Sequence, residues 1–506
     1  MRNSTSAINH QLSTIDWQSL LPVIELAHIQ VSKKKEIDMK PKGIFGIVIV
    51  LLLALPLLGW SQDDAKTKSI TLTAKEVSLG KFHPGGDAAS LVVSPDSKRV
   101  AYIAQKGEKQ LVVVDGQEGS EYDWIGEGSL IFNPDGKRVA YVAGKGSKTL
   151  VVIDSQEGSE YDGIGVGSLI FSLDGKRVAY AARKGEKWLV VVDGQEGKEY
   201  DVVMKGTLIF SPDGKRVAYT AEKDGKKLVI VDGQEGSEYD GIGDGDPIFS
   251  PDGKRVAYAA RKGEKWLVVV DGQEGSEYDG TGGLIFSPDG KRVAYAVQKG
   301  GKMLVVVDGI EGSEYDGIGT TLIISPDSKR VAYTALKGEK WLIVVDGQEG
   351  SEYDGTGALI ISPDSKRVAY IAGKGEKQLV VVDGQKGREY DGICEGSPIF
   401  SPDGKRVAYA ALKGEKSLVV VDGQEGSEYD VIGEGDLIFS PDGKRVAYVV
   451  QKGGKVLVVV DCQEGREYDG ILRGSKLVFD SSDSLHTLVS KPGPEFFRVE
   501  IKIEEK

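Results

Sequence analysis

The feature that most constrains this chain is a nine-residue motif that recurs ten times at nearly constant spacing. The motif Ser-Pro-Asp-Gly-Lys-Arg-Val-Ala-Tyr, with small changes, begins at Ser94, Asn133, Ser172, Ser211, Ser250, Ser287, Ser325, Ser362, Ser401 and Ser440. Successive copies lie 37 to 39 residues apart. Four strands of about five or six residues and their hairpin loops need this length. Residues 90–475 are therefore predicted to form ten four-stranded antiparallel repeats of an all-β fold.

The third copy shows how one repeat is divided. Its four predicted strands are residues 168–171, 177–182, 188–192 and the more polar 199–203. Its three predicted hairpin turns, rich in glycine and aspartate, are residues 172–175, 184–187 and 193–197. In the first of these turns, three other copies have serine in place of glycine, at Ser97, Ser328 and Ser365. We therefore expect that a left-handed backbone is not essential there in every repeat.

The second and third strands of the repeats are apolar continuously rather than in alternation, as in residues 139–143 and 189–192. Such strands are buried on both faces of their sheet. Small sheets of this kind, repeated along a chain, bury both faces by packing as blades around an axis. The fourth strand, Ser-Glu-Tyr-Asp in most copies, is charged, as expected of an outer edge that must not recruit other strands. The predicted fold is a β-propeller.

The two ends of the propeller are predicted to meet in one closing blade. Residues 476–506 contain three further strands of a partial repeat, and the N-terminal segment 62–89 contains a strand near residues 70–82 that can supply the fourth. This arrangement gives about eleven blades, whereas one ring usually has roughly four to eight. One large ring and two tandem rings both stay open as alternatives.

The first 61 residues are predicted to direct export. Residues 1–38 form a prefix, and our hypothesis is that translation begins at Met39. Residues 39–61 have the basic start, apolar run and small residues of a signal peptide cleaved after Ser61. The alternative is an uncleaved membrane anchor over residues 43–60, which are just long enough to cross a bilayer. In both cases the propeller is expected in the periplasm, at the cell surface or outside the cell.

Charge and histidine content argue against two classes of function. The net charge of −13 argues against a nucleic-acid partner, because no basic face drives counterion release. The four histidines are His10, His28, His83 and His486, and none lies in a complete repeat. A Ser-His-Asp centre is therefore not expected, and we predict no enzymatic activity, catalytic residue, metal or cofactor. Weak calcium binding by the repeated acidic loops is a minor alternative.

The aromatic residues divide into an invariant and a variable group. All 20 tyrosines lie in Val-Ala-Tyr or Glu-Tyr-Asp segments, so we expect them to pack between blades. The residue that opens the third strand varies most between copies and is tryptophan in three of them. The candidate binding residues are Trp124, Trp188, Trp266 and Trp341, which could contact a partner or stack on a sugar. The alternative, which we favour, is that they fill the space between neighbouring blades.

The repeat also resembles a known family. Ser-Pro-Asp-Gly-Lys-Arg-Val-Ala-Tyr followed by Leu-Val-Val-Val-Asp-Gly resembles the WD40-like repeat called PD40, over residues 90–475. This repeat builds the propellers of TolB-type proteins and of prolyl-oligopeptidase-type enzymes. The resemblance implies a propeller rather than an activity. TolB-type proteins carry an additional α/β domain before the propeller and the peptidases carry a hydrolase domain, and neither is expected in this chain.

These observations lead to three functional hypotheses of different classes. The first is an exported, non-enzymatic propeller that serves as a scaffold for a protein partner in the cell envelope or outside the cell. The second is a propeller that binds glycans or small ligands in repeated sites between blades. The third, favoured least, is the propeller subunit of an enzyme that acts with another chain. Contact with a membrane is expected only through residues 43–60, if they are not cleaved.

Overall fold

A computed structural model describes residues 70–243, 247–433, 437–472, 474–491 and 495–505. All of them lie in one compact unit, Lys66–Lys506. The predicted prefix and export segment, residues 1–61, fall outside the described residues. Apart from one short 3₁₀ turn, Ala88–Ser90, the regular elements of the described part are β-strands. No helix among them is long and apolar enough to span a bilayer.

The strands form eleven antiparallel sheets, and each of the ten repeats makes one sheet with an inner, second, third and outer strand. We call these sheets blades 1 to 10; they cover residues 86–122, 124–161, 163–200, 202–239, 241–278, 280–315, 317–353, 355–390, 392–429 and 431–468. The inner strands are Val92–Val93, Trp124–Ile125 with Ile131–Phe132, Gly163–Ile164 with Ile170–Phe171, Val202–Val203 with Ile209–Phe210, Gly241–Ile242 with Ile248–Phe249, Gly280–Phe286, Gly317–Ile324, Gly355–Ile361, Gly392–Ile393 with Ile399–Phe400, and Val431–Ile432 with Ile438–Phe439. Inner strands of neighbouring blades contact each other, as between blades 1 and 2, 6 and 7, and 7 and 8, and therefore surround the ring axis.

The other strands of each blade follow in order outward from the axis. The second strands are Val100–Lys106, Val139–Lys145, Val178–Lys184, Val217–Lys223, Val256–Lys262, Val293–Lys299, Val331–Lys337, Val368–Lys374, Val407–Lys413 and Val446–Lys452. The third strands are Lys109–Val114, Lys148–Ile153, Lys187–Val192, Lys226–Val231, Lys265–Val270, Lys302–Val307, Lys340–Val345, Lys377–Val382, Lys416–Val421 and Lys455–Val460. The outer strands are Gln117–Tyr122, Gln156–Glu157, Gln195–Glu196, Gln234–Tyr239, Gln273–Glu274, Ile310–Glu311, Gln348–Tyr353, Gln385–Tyr390, Gln424–Tyr429 and Gln463–Tyr468.

The turn between the third and outer strands is a tight two-residue hairpin. In blade 3 it consists of Asp193 and Gly194, whose φ angles are 51° and 79°. Two successive left-handed residues give the turn whose twist matches that of paired strands, and Asp-Gly is the preferred pair. Blades 2 and 10 keep this conformation without the glycine, at Ser155 with φ 67° and Cys462 with φ 65°.

The fourth strand predicted for the third copy, residues 199–203, is divided between two blades. The outer strand begins earlier, at Gln195, and Tyr200 is the last residue that bridges to the third strand. Val202–Val203 pairs instead with Glu222 and Ala221, and so begins the inner strand of blade 4. The predicted turn 193–197 is correspondingly too long, because Gln195 and Glu196 already belong to a strand.

The expectation about the serine-containing turns is wrong. Ser97, Ser328 and Ser365 all adopt left-handed φ angles, of 50°, 63° and 63°. Each serine hydroxyl accepts a backbone N–H from the adjacent blade: Ser328 from Asp289 at 3.0 Å, Ser365 from Asp327 at 2.9 Å and Ser97 from Lys476 at 3.0 Å. These bonds between blades offset the conformational strain that a glycine would have avoided.

The core of the molecule lies between the blades, where each adjacent pair of blades shares one apolar cluster. The second and third strands are buried on both faces, as predicted. The outer-strand tyrosine of one blade meets the second-strand tyrosine of the next edge to face, as in Tyr161 and Tyr180, whose ring centroids are 6.1 Å apart. The predicted packing role of the tyrosines is confirmed, since all 20 are buried.

The eleventh sheet is built from both ends of the chain, as predicted. Its inner strand is Gly470–Ile471 with Val478–Ser481, and its second, third and outer strands are Ser484–Ser490, Glu495–Glu505 and the N-terminal Ile70–Lys81. The N-terminal strand pairs antiparallel with Glu495–Glu505, from Ile70 opposite Glu505 to Lys81 opposite Glu495.

This closing blade packs against both blade 10 and blade 1. Leu485 and Ile501 share a cluster with Val449 of blade 10, while Leu488 shares one with Val100 of blade 1. The buried imidazole of His486 bridges the same junction: Nδ1 lies 2.7 Å from Asp480 Oδ2 and Nε2 lies 2.7 Å from the Asp96 carbonyl oxygen. The blades therefore form one closed ring of eleven, and the alternative of two tandem rings is wrong.

Candidate binding surface

The two faces of the ring are built from different connections. The face that we call the hairpin face carries the hairpins between second and third strands and the crossings from each outer strand to the next inner strand; at blade 3 these are residues 184–187 and Asp162. We include with this face the adjacent loops that interrupt the inner strands, such as residues 165–169. The opposite face, which we call the turn face, carries the Ser-Pro-Asp-Gly turns and the Asp-Gly turns, such as residues 172–177 and 193–194.

On the turn face, the arginine of each repeat joins its own blade to the next. Arg216 Nε donates to Asp232 Oδ2 at 2.8 Å, and its Nη1 donates to the carbonyl oxygens of Gly253 at 3.4 Å and Lys254 at 2.7 Å in the next blade. The same guanidinium lies 5.3 Å from the ring centroid of Phe249. Equivalent ion pairs join Arg99–Asp115, Arg138–Asp154, Arg177–Asp193, Arg255–Asp271, Arg292–Asp308, Arg330–Asp346, Arg367–Asp383, Arg406–Asp422 and Arg445–Asp461.

The serine and aspartate that begin the motif fix the turn that receives this arginine. Ser211 Oγ donates to Asp213 Oδ1 at 2.6 Å and accepts the backbone N–H of Arg216 at 2.9 Å. The Ser211 hydroxyl, together with the backbone N–H of Lys215, lowers the pKa of Asp213 to about 2. The serine, aspartate and arginine of the repeated motif thus have structural roles: they form the turn and join neighbouring blades.

Two repeats provide a matched test of the arginine contact. Arg330 makes the same polar contacts as Arg216, with Asp346 at 3.1 Å and the Ser365 carbonyl at 3.3 Å, but Ile361 stands where the aromatic ring would be. We expect Arg216→Ala to lower the free energy of unfolding by about 2 kcal/mol. We expect Arg330→Ala to cost about 0.5–1 kcal/mol less, because no cation–π contact is lost. Urea unfolding of both variants measures the difference, and equal losses would contradict the assigned role of Phe249.

On the hairpin face, the aspartate of the Tyr-Asp pair also joins two blades in nine of the ten repeats. Asp240 Oδ1 accepts from Lys226 Nζ at 2.5 Å, and Oδ2 accepts the backbone N–H of Gly263 in the next blade at 2.7 Å. The outer-strand glutamate is similarly engaged: Glu274 accepts from Lys262 at 2.5 Å and from the Tyr239 hydroxyl of the preceding blade at 2.9 Å. The acidic loops considered for calcium therefore hold blades together. Within the described ranges, no three His, Cys, Asp or Glu side chains are grouped to hold a metal.

The differences between blades lie mainly on the hairpin face. There, one residue of each strand forms a row across the sheet, which in blade 3 runs through Gly163, Arg183, Trp188 and Tyr200. Only the tyrosine is constant from row to row. Among the described residues, seven large apolar side chains are exposed, and five of them lie in these rows or in the adjacent inner-strand loops: Trp124, Val166, Val202, Leu412 and Val431. The hairpin face is therefore the variable and more apolar face.

The four candidate tryptophans occupy three kinds of place on this face. Trp124 is 41% exposed and lies against Gly144, where even a Cβ atom would come within 2.0 Å of the indole Nε1. Trp188 and Trp266 are half-buried and line crevices between blades 3 and 4 and between blades 5 and 6. Trp341 is half-buried against Gly319 of its own blade. Contact of these tryptophans with a partner stays a prediction.

Crevices between blades are of two types. On the hairpin face, the crevice at Trp188 has a volume of about 230 Å³ and that at Trp266 about 500 Å³. Toward the turn face, three equivalent crevices of about 360, 410 and 650 Å³ lie between blades 1 and 2, 4 and 5, and 2 and 3. Their walls repeat the same residue types; that between blades 4 and 5 includes Arg216, Glu235, Lys254 and Tyr258. Crevices of this second type cannot be found from differences between repeats, because their wall residues are the same in nearly every repeat.

The fold defines the chain as a closed β-propeller. No protein-family model matches it, and no curated protein matches it. Similar solved structures include a eukaryotic initiation factor, with 16% identity, 70% of this chain and 91% of that chain covered, and a TM-score of 0.40. TolB from Acinetobacter baumannii has 19% identity, 51% and 77% coverage, and a TM-score of 0.24. The β-propeller domain of the trilobed protease from Pyrococcus furiosus has 16% identity, 51% and 92% coverage, and a TM-score of 0.26. Likenesses at this level carry no argument about binding or activity, and the finer resemblance to the PD40 repeat stays a prediction.

Proposed function

We propose that this chain is an exported, non-enzymatic propeller that serves as a scaffold, and that it binds a protein partner through its hairpin face. One observation supports this most directly: blades that are otherwise nearly identical differ on the hairpin face, where most of the exposed large apolar side chains also lie. Exposed apolar residues grouped on one face are typical of protein-binding surfaces. The turn face instead repeats the same ion pair between arginine and aspartate in each blade.

The proposal is tested by comparing two variants in which exposed apolar residues are replaced by glutamate, one on the hairpin face and one elsewhere on the surface. The hairpin-face variant is Val166→Glu/Val431→Glu, whose side chains are 75% and 49% exposed. The matched control is Leu173→Glu/Ile310→Glu, at 64% and 74% exposure on the turn face and the outer rim. Tagged protein is cross-linked in the producing cell and recovered from the envelope fraction, and proteins attached in stoichiometric amount are identified by mass spectrometry.

We expect the unmodified chain and the control to retain the same partner, and the hairpin-face variant to lose it at least tenfold, the effect of about 1.4 kcal/mol or more. All three proteins should have the same melting temperature, because the four side chains are exposed. Recovery of the chain from the cytoplasm would contradict export. A partner that is lost equally from the control would contradict binding through the hairpin face.

A second candidate function is binding of small polar ligands or glycans toward the turn face. The observation that favours it is the recurrence of crevices of about 360–650 Å³ with the same polar walls between different blades. Cavities of roughly 300–1,000 Å³ are typical of small-molecule sites. If cross-linking retains no protein, binding of soluble polysaccharides to the purified chain becomes the decisive measurement.

A further inference from the structure

One sector of the hairpin face differs from the rest in both shape and charge. The crevice between blades 3 and 4 is lined by Trp188, Val166, Val202, Val203, Met204 and Leu208. Val166 and Val202 are 75% and 39% exposed at its mouth. At about 230 Å³, it is smaller than the roughly 300–1,000 Å³ of small-molecule sites. This volume suits one bulky apolar side chain rather than a larger ligand.

The loops that border this crevice are held in place by their own hydrogen bonds. On the blade 3 side, Ser168 Oγ donates to the Gly165 carbonyl at 2.7 Å and accepts the Ala181 N–H at 3.0 Å. On the blade 4 side, Thr207 Oγ1 donates to the Met204 carbonyl at 2.9 Å and accepts the Thr220 N–H at 3.0 Å. The Ser168 hydroxyl is thus already engaged on both sides, which leaves little to bind sugar hydroxyls. A preformed crevice loses little entropy when a side chain enters it.

Lys205 is the only charged residue that lines the crevice. It is exposed, and it forms no ion pair within the described residues. In the other complete repeats with a loop of this length, the corresponding residues are Glu127, Val166, Asp244, Glu395 and Glu434, and in the partial repeat of the closing blade the corresponding residue is Arg473. In a chain with a net charge of −13, blade 4 therefore places an unpaired cation beside an apolar crevice. An anionic group next to an apolar side chain matches this arrangement.

We propose that the crevice between blades 3 and 4 receives a bulky apolar side chain of the protein partner, and that an adjacent Asp or Glu of that partner pairs with Lys205. This inference rests on the proposed function and names the chemistry of the partner. Trp188 forms the wall against which the apolar side chain packs. Because Lys205 repels like charge, partners that carry a basic residue next to the apolar side chain bind more weakly.

The experiment uses a random peptide library displayed on phage as fusions that have no free C-terminal carboxylate, selected against the full chain. Enriched peptides are synthesised, and their affinities are measured by fluorescence polarisation. The variants are Trp188→Ala and Lys205→Glu, with Trp266→Ala as the matched tryptophan control at the other crevice. Thermal unfolding of each variant detects loss of folding. If Trp188→Ala does not fold, Lys205→Glu still tests the proposal, because it changes only an exposed residue.

We expect enriched peptides to combine Leu, Met, Phe or Trp with a neighbouring acidic residue. Trp188→Ala should weaken binding roughly 30-fold, as expected when an aromatic anchor is removed. Lys205→Glu should weaken it roughly 5–10-fold and reverse the sign of its salt dependence, because the new carboxylate repels the acidic residue of the peptide, and Trp266→Ala should leave it unchanged. Failure to enrich any peptide, enrichment without acidic residues, or equal loss in Trp266→Ala would overturn the inference.

The two proposals can fail separately. If the cross-linked envelope partner depends on the hairpin face but selected peptides ignore Trp188 and Lys205, the crevice assignment fails and the scaffold function stands. If peptides require both residues while no envelope partner depends on the hairpin face, the scaffold function fails at its cellular test.

Discussion

Replacing Ile70 and Leu72 of the closing strand with asparagine is expected to open the ring. Ile70 is buried, and Leu72 packs against the same cluster, which contains Val460 of blade 10 and Ile501 of the closing blade. Losing two such apolar side chains in a core costs about 2–5 kcal/mol each. A total of about 5 kcal/mol is comparable to the whole stability of many domains. The expected result is a large fall in the urea midpoint.

The matched control changes two of the exposed residues of the same strand, Thr73→Asn and Lys75→Asn. It keeps the backbone pairing of Ile70–Lys81 with Glu495–Glu505, so its free energy of unfolding should change by less than about 0.5 kcal/mol. Release of the N-terminal strand also exposes the free edge of Glu495–Glu505, which can pair with another chain. We therefore expect oligomers of the Ile70→Asn/Leu72→Asn variant in light scattering. A monomeric variant with an unchanged midpoint would contradict closure by this strand.

The repeat made most of this architecture predictable. A period of 37 to 39 residues with strands that are apolar throughout specifies blades, and the leftover strands at both ends specify how the ring closes. The division of residues 199–203 was not predictable in the same way. Val202–Val203 has the composition of a strand that continues from Tyr200, and only its pairing with residues twenty positions later assigns it to blade 4. Pairing partners of that kind are not encoded by local pattern.

The serine-containing turns show a second limit of sequence reasoning. Residue preference alone predicts glycine, and not serine, at a position with a left-handed backbone. The hydroxyls of Ser97, Ser328 and Ser365 bond to the adjacent blade, and this contact depends on the curvature of the ring. The same limit applies to the candidate surface. Variation at Trp188 was visible in the sequence, but the crevice beside it exists only between two blades. Lys205 could have been found, since four of the five other complete repeats with a loop of this length have an acidic residue at this position.

The second large effect is expected at alkaline pH. Burial is the main cause that raises the pKa of nearly every tyrosine in the ring, and it places those of Tyr295 and Tyr429 at about 12. In an unfolded chain the phenol ionises near pH 10. Between these values the unfolded state loses protons that the folded state keeps, so the stabilisation is complete below about pH 10 and is lost as the pH rises toward 12.

The sum over the ring makes this effect large. A shift from about 10 to about 12 corresponds to about 2–3 kcal/mol for one buried ring, and Tyr295 and Tyr429 are only 6% and 2% exposed. A few such rings together equal the roughly 5–15 kcal/mol that stabilises a typical domain. We therefore expect cooperative unfolding between about pH 10 and 12, with tyrosinate absorbance rising at the same pH at which the circular dichroism of the sheets is lost.

Two phenylalanine substitutions separate ionisation from lost hydrogen bonds. The buried Tyr429 hydroxyl makes no hydrogen bond of normal geometry within the described residues, so Tyr429→Phe should not lower stability at neutral pH and should raise the alkaline midpoint. The Tyr161 hydroxyl donates to Glu196 at 3.1 Å, so Tyr161→Phe should cost about 1 kcal/mol at neutral pH. If tyrosinate forms while the sheets stay intact, the rings ionise within the folded ring. That result would contradict the expectation that the buried tyrosines ionise only when the blades separate.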